Sequence, residues 1–246
     1  MPMISINVQN NSTTSKDFLY FMGPVNSSDA GQIYVTSLGT ANLGAYVQCG
    51  TIITFQLDFQ YQAGVQQAHS LPIAGQQSGF YSASQPISLS TSTGSSPDTT
   101  TMTVNPFGLT APVAGPSVPA GTFRISTPAY DSSVSIYNAG TALRTKAGGV
   151  VLPSFLIATP NSNIDIQPAM NFYVAAGKAG TGTVINQKDY TNTGACDATN
   201  YKSFLVIYNS NGTFSVAGFP DDGMTLSFVK GMNQITSGVN RIFVPL

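Results

Sequence analysis

The sequence predicts a nearly all-β fold: an antiparallel β-sandwich with long loops and at most one short helix. The chain of 246 residues contains no glutamate, and all 10 of its acidic residues are aspartate. Because glutamate forms helices more readily than aspartate, this choice of acid removes support for helices. The many Thr, Ser, Val and Asn residues, together with 24 glycines, favour strands and turns instead.

A succession of short strands separated by turn residues fits this fold class. The clearest is the segment 51–60, where Ile53, Phe55, Leu57 and Phe59 alternate with polar residues and so predict one core-facing side. The predicted strands are, in chain order, 4–8, 18–22, 32–36, 51–60, 79–83, 87–93, 99–104, 122–126, 133–137, 150–158, 171–176, 203–208, 213–217, 224–228 and 241–244.

Two hairpins are predicted. The first joins 203–208 to 213–217 through a turn that contains Asn211-Gly212, a pair that accepts positive φ. The second joins 87–93 to 99–104 and is rich in Ser and Thr. A ribbon with small polar residues on one face and sparse apolar residues on the other is typical of the insertion hairpin of a β-pore-forming toxin, and also of an ordinary exposed hairpin.

One short helix is predicted at 139–146, before Gly148-Gly149 ends it. The Pro-rich stretch 105–121 is a possible boundary between two lobes. Its apolar residues Phe107, Leu109 and Val113 instead favour a loop packed across one body, so we expect a single sandwich domain over residues 1–246.

Charge restricts the partners. The chain carries 9 basic and 10 acidic residues, and only 8% of its residues are charged against roughly 25% in typical soluble domains. With no basic stripe to neutralise phosphates, we expect no nucleic-acid partner. A neutral, polar surface suits an uncharged carbohydrate or homo-oligomeric self-association.

Location is only weakly constrained by the sequence. No run approaches the roughly 18 apolar residues of a membrane helix, so no transmembrane segment is expected. The first residues lack the basic and apolar regions of a signal peptide. The compartment stays open, with an extracellular or surface location favoured. Cys49 and Cys196 are candidates for one disulfide, and two buried free thiols are the alternative.

The inventory of catalytic residue types is short. His69 is the only histidine and has no recognisable nucleophile motif around it, which argues against a serine triad. One histidine and two distant cysteines predict no zinc site, and Asp221-Asp222-Gly223 is more typical of a turn than of a cation site. No phosphate-binding loop is present, so no cofactor is expected.

Paired carboxylates are the remaining catalytic option. A glycoside hydrolase needs one carboxylic acid to protonate the leaving oxygen and one carboxylate to act as nucleophile or base. Candidates by local sequence are Asp58, Asp131 and Asp165, each next to aromatic or aliphatic residues. An apolar environment would raise the pKa of such a carboxyl group toward that of an acid catalyst. A turn or a solvated strand position is the alternative for each.

Several segments resemble thaumatin-like β-sandwich proteins, in particular the β-1,3-glucanases of glycoside hydrolase family 64. The segments 6–12, 18–23 and 33–35 are similar to the first strands of that family. Gly121-Thr-Phe-Arg-Ile-Ser126 is similar to its short Gly-Arg-aromatic strand, and 151–173 to the stretch that leads to its catalytic strand. That strand carries a catalytic glutamate in the family, whereas 169–175 here reads Ala-Met-Asn-Phe-Tyr-Val-Ala.

The resemblance implies a thaumatin-like sandwich with a groove that binds β-1,3-glucan without cleaving it; on strand pattern, a jelly-roll-like sandwich is equally consistent. Aromatic faces pack against the C–H side of pyranose rings. The candidates for this role are Tyr61, Phe80, Tyr81, Tyr130 and Tyr173.

Three other functions stay open: a self-assembling structural subunit of a capsid, filament or crystalline inclusion, a β-pore-forming toxin, and a weak Asp-based glycoside hydrolase. For self-assembly, the segment 241–246 could add a strand to a neighbouring molecule.

Overall fold

Strands dominate the computed structural model, which describes residues 3–28, 31–58, 60–145, 148–220 and 240–245. Its helical segments in these ranges are α1 (Tyr46–Cys49) and a 3₁₀ turn (Gln187–Asp189). The strands are β1 Met3–Asn10, β2 Lys16–Met22, β3 Asn26–Ser27, β4 Tyr34–Leu43, β5 Thr51–Asp58, β6 Gln62–Ala68, β7 Tyr81–Pro86, β8 Thr99–Val104, β9 Phe107–Leu109, β10 Phe123–Ser126, β11 Ile136–Thr141, β12 Leu143–Arg144, β13 Val150–Val151, β14 Ser154–Ile157, β15 Asn163–Gln167, β16 Asn171–Ala176, β17 Val184–Ile185, β18 Thr193–Asp197, β19 Ser203–Tyr208, β20 Phe214–Phe219 and β21 Asn240–Pro245. The prediction of a nearly all-β fold is confirmed.

The strands form three large sheets and a small two-stranded ribbon within the described ranges. One five-stranded sheet has the order β20-β19-β1-β5-β21, and the other has the order β3-β15-β10-β8-β9. The nine-stranded sheet runs β18-β16-β2-β4-β14-β11-β6-β7, with β17 paired to β4. Most pairs are antiparallel, while β1 with β19, β8 with β10 and β5 with β21 are parallel.

The main core lies between the two five-stranded sheets and one face of the nine-stranded sheet, which gives a sandwich-like arrangement. All three sheets contribute fully buried side chains to one cluster, among them Ile6, Phe55, Phe123, Phe172 and Phe204. The alternation predicted for β5 is confirmed, since Ile53, Phe55 and Leu57 all point into this core.

The nine-stranded sheet also buries much of its other face. Leu19, Phe21 and Val35 form one cluster there, and Leu152 with Phe155 belongs to another. A strand covered on both sides reads as a continuous apolar run, because neither set of alternating side chains faces water. This explains the uninterrupted run Phe18-Leu-Tyr-Phe-Met22 of β2.

The hairpin of β19 and β20 is confirmed: the strands pair antiparallel, and Gly212 in the turn has φ of 84°. The hairpin predicted for 87–104 is wrong. Residues 87–98 form no strand, and β8 pairs instead with β9 and β10. The strand predicted at 224–228 lies outside the described residues.

The helix predicted for 139–146 is wrong, because the described part of this segment forms the end of β11 and then β12. Ala139 and Gly140 pair with β6 on one side and with β14 on the other, so sheet pairing overrides local helix propensity. In the stretch 105–121, Phe107 and Leu109 pack against the main core as predicted, whereas Val113 is exposed. The single domain over 1–246 stays a prediction.

Both cysteines are free thiols in the structure, so the disulfide weighed from the sequence is not formed. Cys49 is exposed, whereas Cys196 is fully buried in the main core. Burial raises the pKa of the Cys196 thiol to about 12. Thiolate is the form that reacts with alkylating agents, so this thiol is inert for reasons of both access and ionisation.

We therefore expect iodoacetamide to alkylate one thiol per native chain at pH 8 and two after denaturation in urea. Intact mass spectrometry counts the additions, and peptide mapping assigns the first one to Cys49. A Cys49→Ser variant is the control and should take up no label while folded. Rapid alkylation of Cys196 in the native protein would contradict its burial.

Candidate carbohydrate-binding groove

A groove of about 710 Å³ opens where four chain connections meet. These connections link β5 to β6, β7 to β8, β15 to β16, and β18 to β19. Its lining combines apolar, aromatic and uncharged polar side chains with one lysine: Ile4, Gln60, Tyr61, Ile87, Ser88, Leu89, Met170, Ala198, Thr199, Asn200, Tyr201 and Lys202. We call this the end groove.

Backbone hydrogen bonds hold the walls of the end groove to one another. The amide of Ile87 donates to the carbonyl of Tyr61 at 3.0 Å, and the amide of Ala198 donates to the carbonyl of Met170 at 2.8 Å. The backbone of Lys202 makes two hydrogen bonds: its amide donates to the carbonyl of Phe219, and its carbonyl accepts from the amide of Ser5. These hydrogen bonds tie the connections to one another and, through Ser5 and Phe219, to β1 and β20.

The connection between β18 and β19 carries a local cap. The amide of Thr199 donates to the Asp197 carboxylate at 2.9 Å. Hydrogen bonds from the Thr199 side chain and amide lower the pKa of Asp197 below its ordinary value of 3.8. Because this pKa is depressed in the fold, the cap stabilises the connection above pH 3.8 and weakens as the pH falls through the lowered pKa.

Two tyrosines give the end groove its aromatic surface. Tyr61, predicted from the sequence, lies on one wall, and its hydroxyl contacts the sulfur of Met170 at 3.8 Å. Tyr201, which the sequence argument missed, lies in the connection before β19 and is 41% exposed. An aromatic residue between polar neighbours, directly before a clearly predicted strand, is the signal that could have found it.

Two other predicted aromatic residues, Tyr81 and Tyr130, belong to a cluster elsewhere. Tyr81 contacts Phe107 at 5.6 Å between ring centroids, Phe107 stacks on Tyr137, and Tyr137 meets the edge of Tyr130 at 4.8 Å. The hydroxyl of Tyr130 donates to the carbonyl of Ala158, and burial raises the pKa of Tyr130 to about 12. Tyr130 is therefore a packing residue.

Phe80 stacks on His69 with 3.9 Å between ring centroids, beside a cleft of about 240 Å³ that Tyr137 also lines. Tyr173 stacks on Phe21 at 5.3 Å and packs against the cluster on the outer face of the nine-stranded sheet. Of the five aromatic candidates, the end groove contains Tyr61.

Two of the three carboxylate candidates, Asp165 and Asp131, are bonded to different partners in separate parts of the fold. Both oxygens of Asp165 accept from the guanidinium of Arg124, at 2.7 and 2.8 Å, which is the geometry of a bidentate ion pair. Asp131 caps an exposed turn, where hydrogen bonds from the side chain and amide of Ser133 lower the pKa of Asp131. Asp58 ends β5, and its side chain lies outside the described part of the structure.

Arg124 ties together a larger polar cluster. Besides Asp165, its guanidinium donates to the carbonyl of Pro116 at 3.0 Å. Nearby, the buried Asp98 accepts from the amide of Gly115 at 2.9 Å. The hydrogen bonds to Asp165 are the main reason that the pKa of Arg124 is raised. These contacts fix the loop 110–121 to β10 and β15, which is a structural role.

Comparisons of the chain with models of known protein families, with curated proteins and with solved structures find no match. The resemblance to glucanases therefore stays a prediction, carried by the segments quoted above. Over the described residues, no helix is long and apolar enough to cross a membrane. In the same residues, no group of three or more His, Cys, Asp or Glu side chains is placed to hold a metal ion.

Proposed function

We propose that this protein binds a neutral polysaccharide of the β-1,3-glucan type in the end groove, without cleaving it. The observation that carries the proposal is the composition of the groove: its lining combines the aromatic residues Tyr61 and Tyr201 with apolar residues, uncharged polar residues and one lysine. A pyranose ring has the matching chemistry, with C–H faces that pack on aromatic rings and hydroxyls at its edge.

The polar side chains that line the groove can form hydrogen bonds with sugar hydroxyls. Gln60 and Asn200 each carry an amide that can donate and accept, while Ser88 and Thr199 contribute hydroxyls. Lys202 is the single charged side chain among the described lining residues, and it can donate to hydroxyl oxygen as well as to an anion. Binding without cleavage fits the positions of Asp165 and Asp131, whose carboxylates are engaged away from this groove.

The direct test is retention on insoluble β-1,3-glucan, with release of reducing sugar measured in the same sample. We expect the protein to sediment with the glucan and to release no sugar above the buffer control. Insoluble mannan is the matched control polymer, because its axial 2-hydroxyl disturbs the flat C–H face. Sugar release would contradict the claim that the protein does not cleave the glucan. Equal sedimentation with both polymers would contradict the claim that the groove is selective for β-1,3-glucan.

We further propose self-association, on a separate observation. From residue 59 to residue 123 the only charged residue is Asp98, which is buried. Within this stretch the connection between β6 and β7 exposes Leu71, Ile73 and Phe80, and the small cleft is lined by both Phe80 and the exposed Val134. Exposed apolar residues without charge are typical of contacts between protein molecules.

Phe80→Asp is expected to lower the particle mass toward that of the 25.7 kDa chain, because burying a charge in the apolar contact is costly. Light scattering coupled to size exclusion at several protein concentrations measures the mass. Val47→Asp is the matched control, since Val47 is 87% exposed and lies on another connection, in α1. A monomeric wild type at every concentration would rule out self-association.

The pore-forming hypothesis rested on the hairpin predicted for 87–104. Residues 87–98 form no strand in the structure, and Ile87, Ser88 and Leu89 instead line the end groove. The feature that favoured this function is therefore not formed.

A further inference from the structure

The ring of Tyr201 lies over a glycine of the neighbouring strand. A Cβ atom built on Gly218 of β20 would lie 2.8 Å from Cγ of Tyr201, and 3.0 and 3.2 Å from its Cδ2 and Cδ1 atoms. Nearly equal distances to the two sides of the ring mean that Gly218 lies under the ring face and not beside its edge. Real Cβ atoms essentially never approach another atom to 2.8 Å, so a side chain at position 218 would have to displace the ring.

Neighbouring residues complete the support of this ring. Gly218 pairs with Phe204 across β19 and β20, and the ring of Phe204 meets Tyr201 edge to face at 6.2 Å. The next residue, Lys202, is tied by its amide to Phe219 of β20. Tyr201 thus has one face on backbone and a T-shaped contact with a buried aromatic ring, while 41% of the residue stays accessible and it lines the end groove.

We propose that Tyr201 is the stacking platform of the end groove and that Gly218 is its positioning residue. One ring face is taken by Gly218, so a ligand stacks on the other face. The ligand class that fits is a pyranose with a flat C–H face, as in gluco-configured sugars. This inference rests on the proposed function of the groove and adds the residues that orient its aromatic surface.

The test is a double-mutant cycle of Tyr201→Ala and Gly218→Ala, with affinity for laminarihexaose, a soluble β-1,3-glucan fragment, measured by calorimetry. We expect each single substitution to weaken binding about tenfold or more, as for anchor residues at interfaces. In the Tyr201→Ala background, Gly218→Ala should cause no further loss, because no ring remains to be displaced. Equal losses in both backgrounds, or no loss from Gly218→Ala, would overturn the positioning role.

Two controls separate a role in binding from a general effect on folding. Gly108→Ala adds a methyl group to a strand glycine where the nearest atom lies at an ordinary 3.7 Å, and it should keep full affinity. Tyr201→Phe keeps the ring and should also keep most of the affinity. Thermal unfolding of each variant shows whether the protein is folded at the temperature of the titration.

A readout without ligand tests the geometry by itself. The ring of Tyr201 should shift the α-proton resonances of Gly218 upfield by its ring current, and Tyr201→Ala should remove that shift. If the shift is absent from the wild type, the stacking of Tyr201 on Gly218 is wrong. If the shift is present but laminarihexaose does not bind, the geometry stands, while the platform role and the proposed function both fail.

Discussion

Asp165→Ala is expected to lower the free energy of unfolding by about 3–5 kcal/mol, the range for removing one partner of a buried ion pair. Asp165 and Arg124 face each other across β15 and β10, and their side chains are only 10% and 13% exposed. Without the carboxylate, the guanidinium would keep its charge in a largely buried position with only the carbonyls of Pro116 and Ser117 as partners.

Chemical unfolding in urea, followed by circular dichroism, measures this loss. Asp131→Ala is the matched control, because Asp131 is exposed and bonded only within its own turn, and it should lower the free energy of unfolding far less than Asp165→Ala does. The pair Arg124→Met and Asp165→Leu, combined, should recover most of the stability, since removing both charges leaves neither unpaired. If Asp165→Ala were as mild as Asp131→Ala, the cluster would not stabilise this part of the fold.

The second large effect is expected on the affinity for the proposed glucan ligand. Replacing Tyr61 and Tyr201 together by alanine is expected to weaken laminarihexaose binding at least about a hundredfold, because each lost anchor that costs about 1.4 kcal/mol gives a factor of ten. Both rings are removed from the groove, while its apolar lining residues, including Ile4 and Ile87, are kept.

Tyr81→Ala is the control for this second effect. Tyr81 is 54% exposed and belongs to the other aromatic cluster, and it does not line the end groove. Its replacement should leave the affinity unchanged. A larger loss from Tyr81→Ala than from the double variant would move the binding site to the cluster of Tyr81, Phe107 and Tyr137.

Regular alternation and turn chemistry explain where the sequence predicted the fold well. The pattern of Ile53, Phe55 and Leu57 predicts β5, and Asn211-Gly212 predicts the turn of the hairpin of β19 and β20. Both signals are local. The helix predicted at 139–146 failed because long-range pairing with β6 and β14 determines the conformation of Ala139 and Gly140.

The candidate site likewise combines residues that the local sequence identifies with residues that only the fold brings together. Tyr61 was predicted as one of five aromatic residues able to stack on a sugar, but several of its neighbours in the groove come from connections more than a hundred residues away in sequence, such as Met170 and Tyr201. The pairing of Asp165 with Arg124 depends on the register of β10 and β15. Without that register, Asp165 could not be distinguished from a catalytic carboxylate.

The most direct test of the central claim is an NMR titration of the protein, labelled on its tyrosine rings, with laminarihexaose. Single Tyr→Phe variants assign the 11 tyrosines. We predict that the resonances of Tyr61 and Tyr201 shift together with one dissociation constant, while those of Tyr81 and Tyr130 stay in place. Shifts confined to Tyr81 and Tyr130, or no shift at any tyrosine, would contradict the assignment of the end groove as a carbohydrate-binding site.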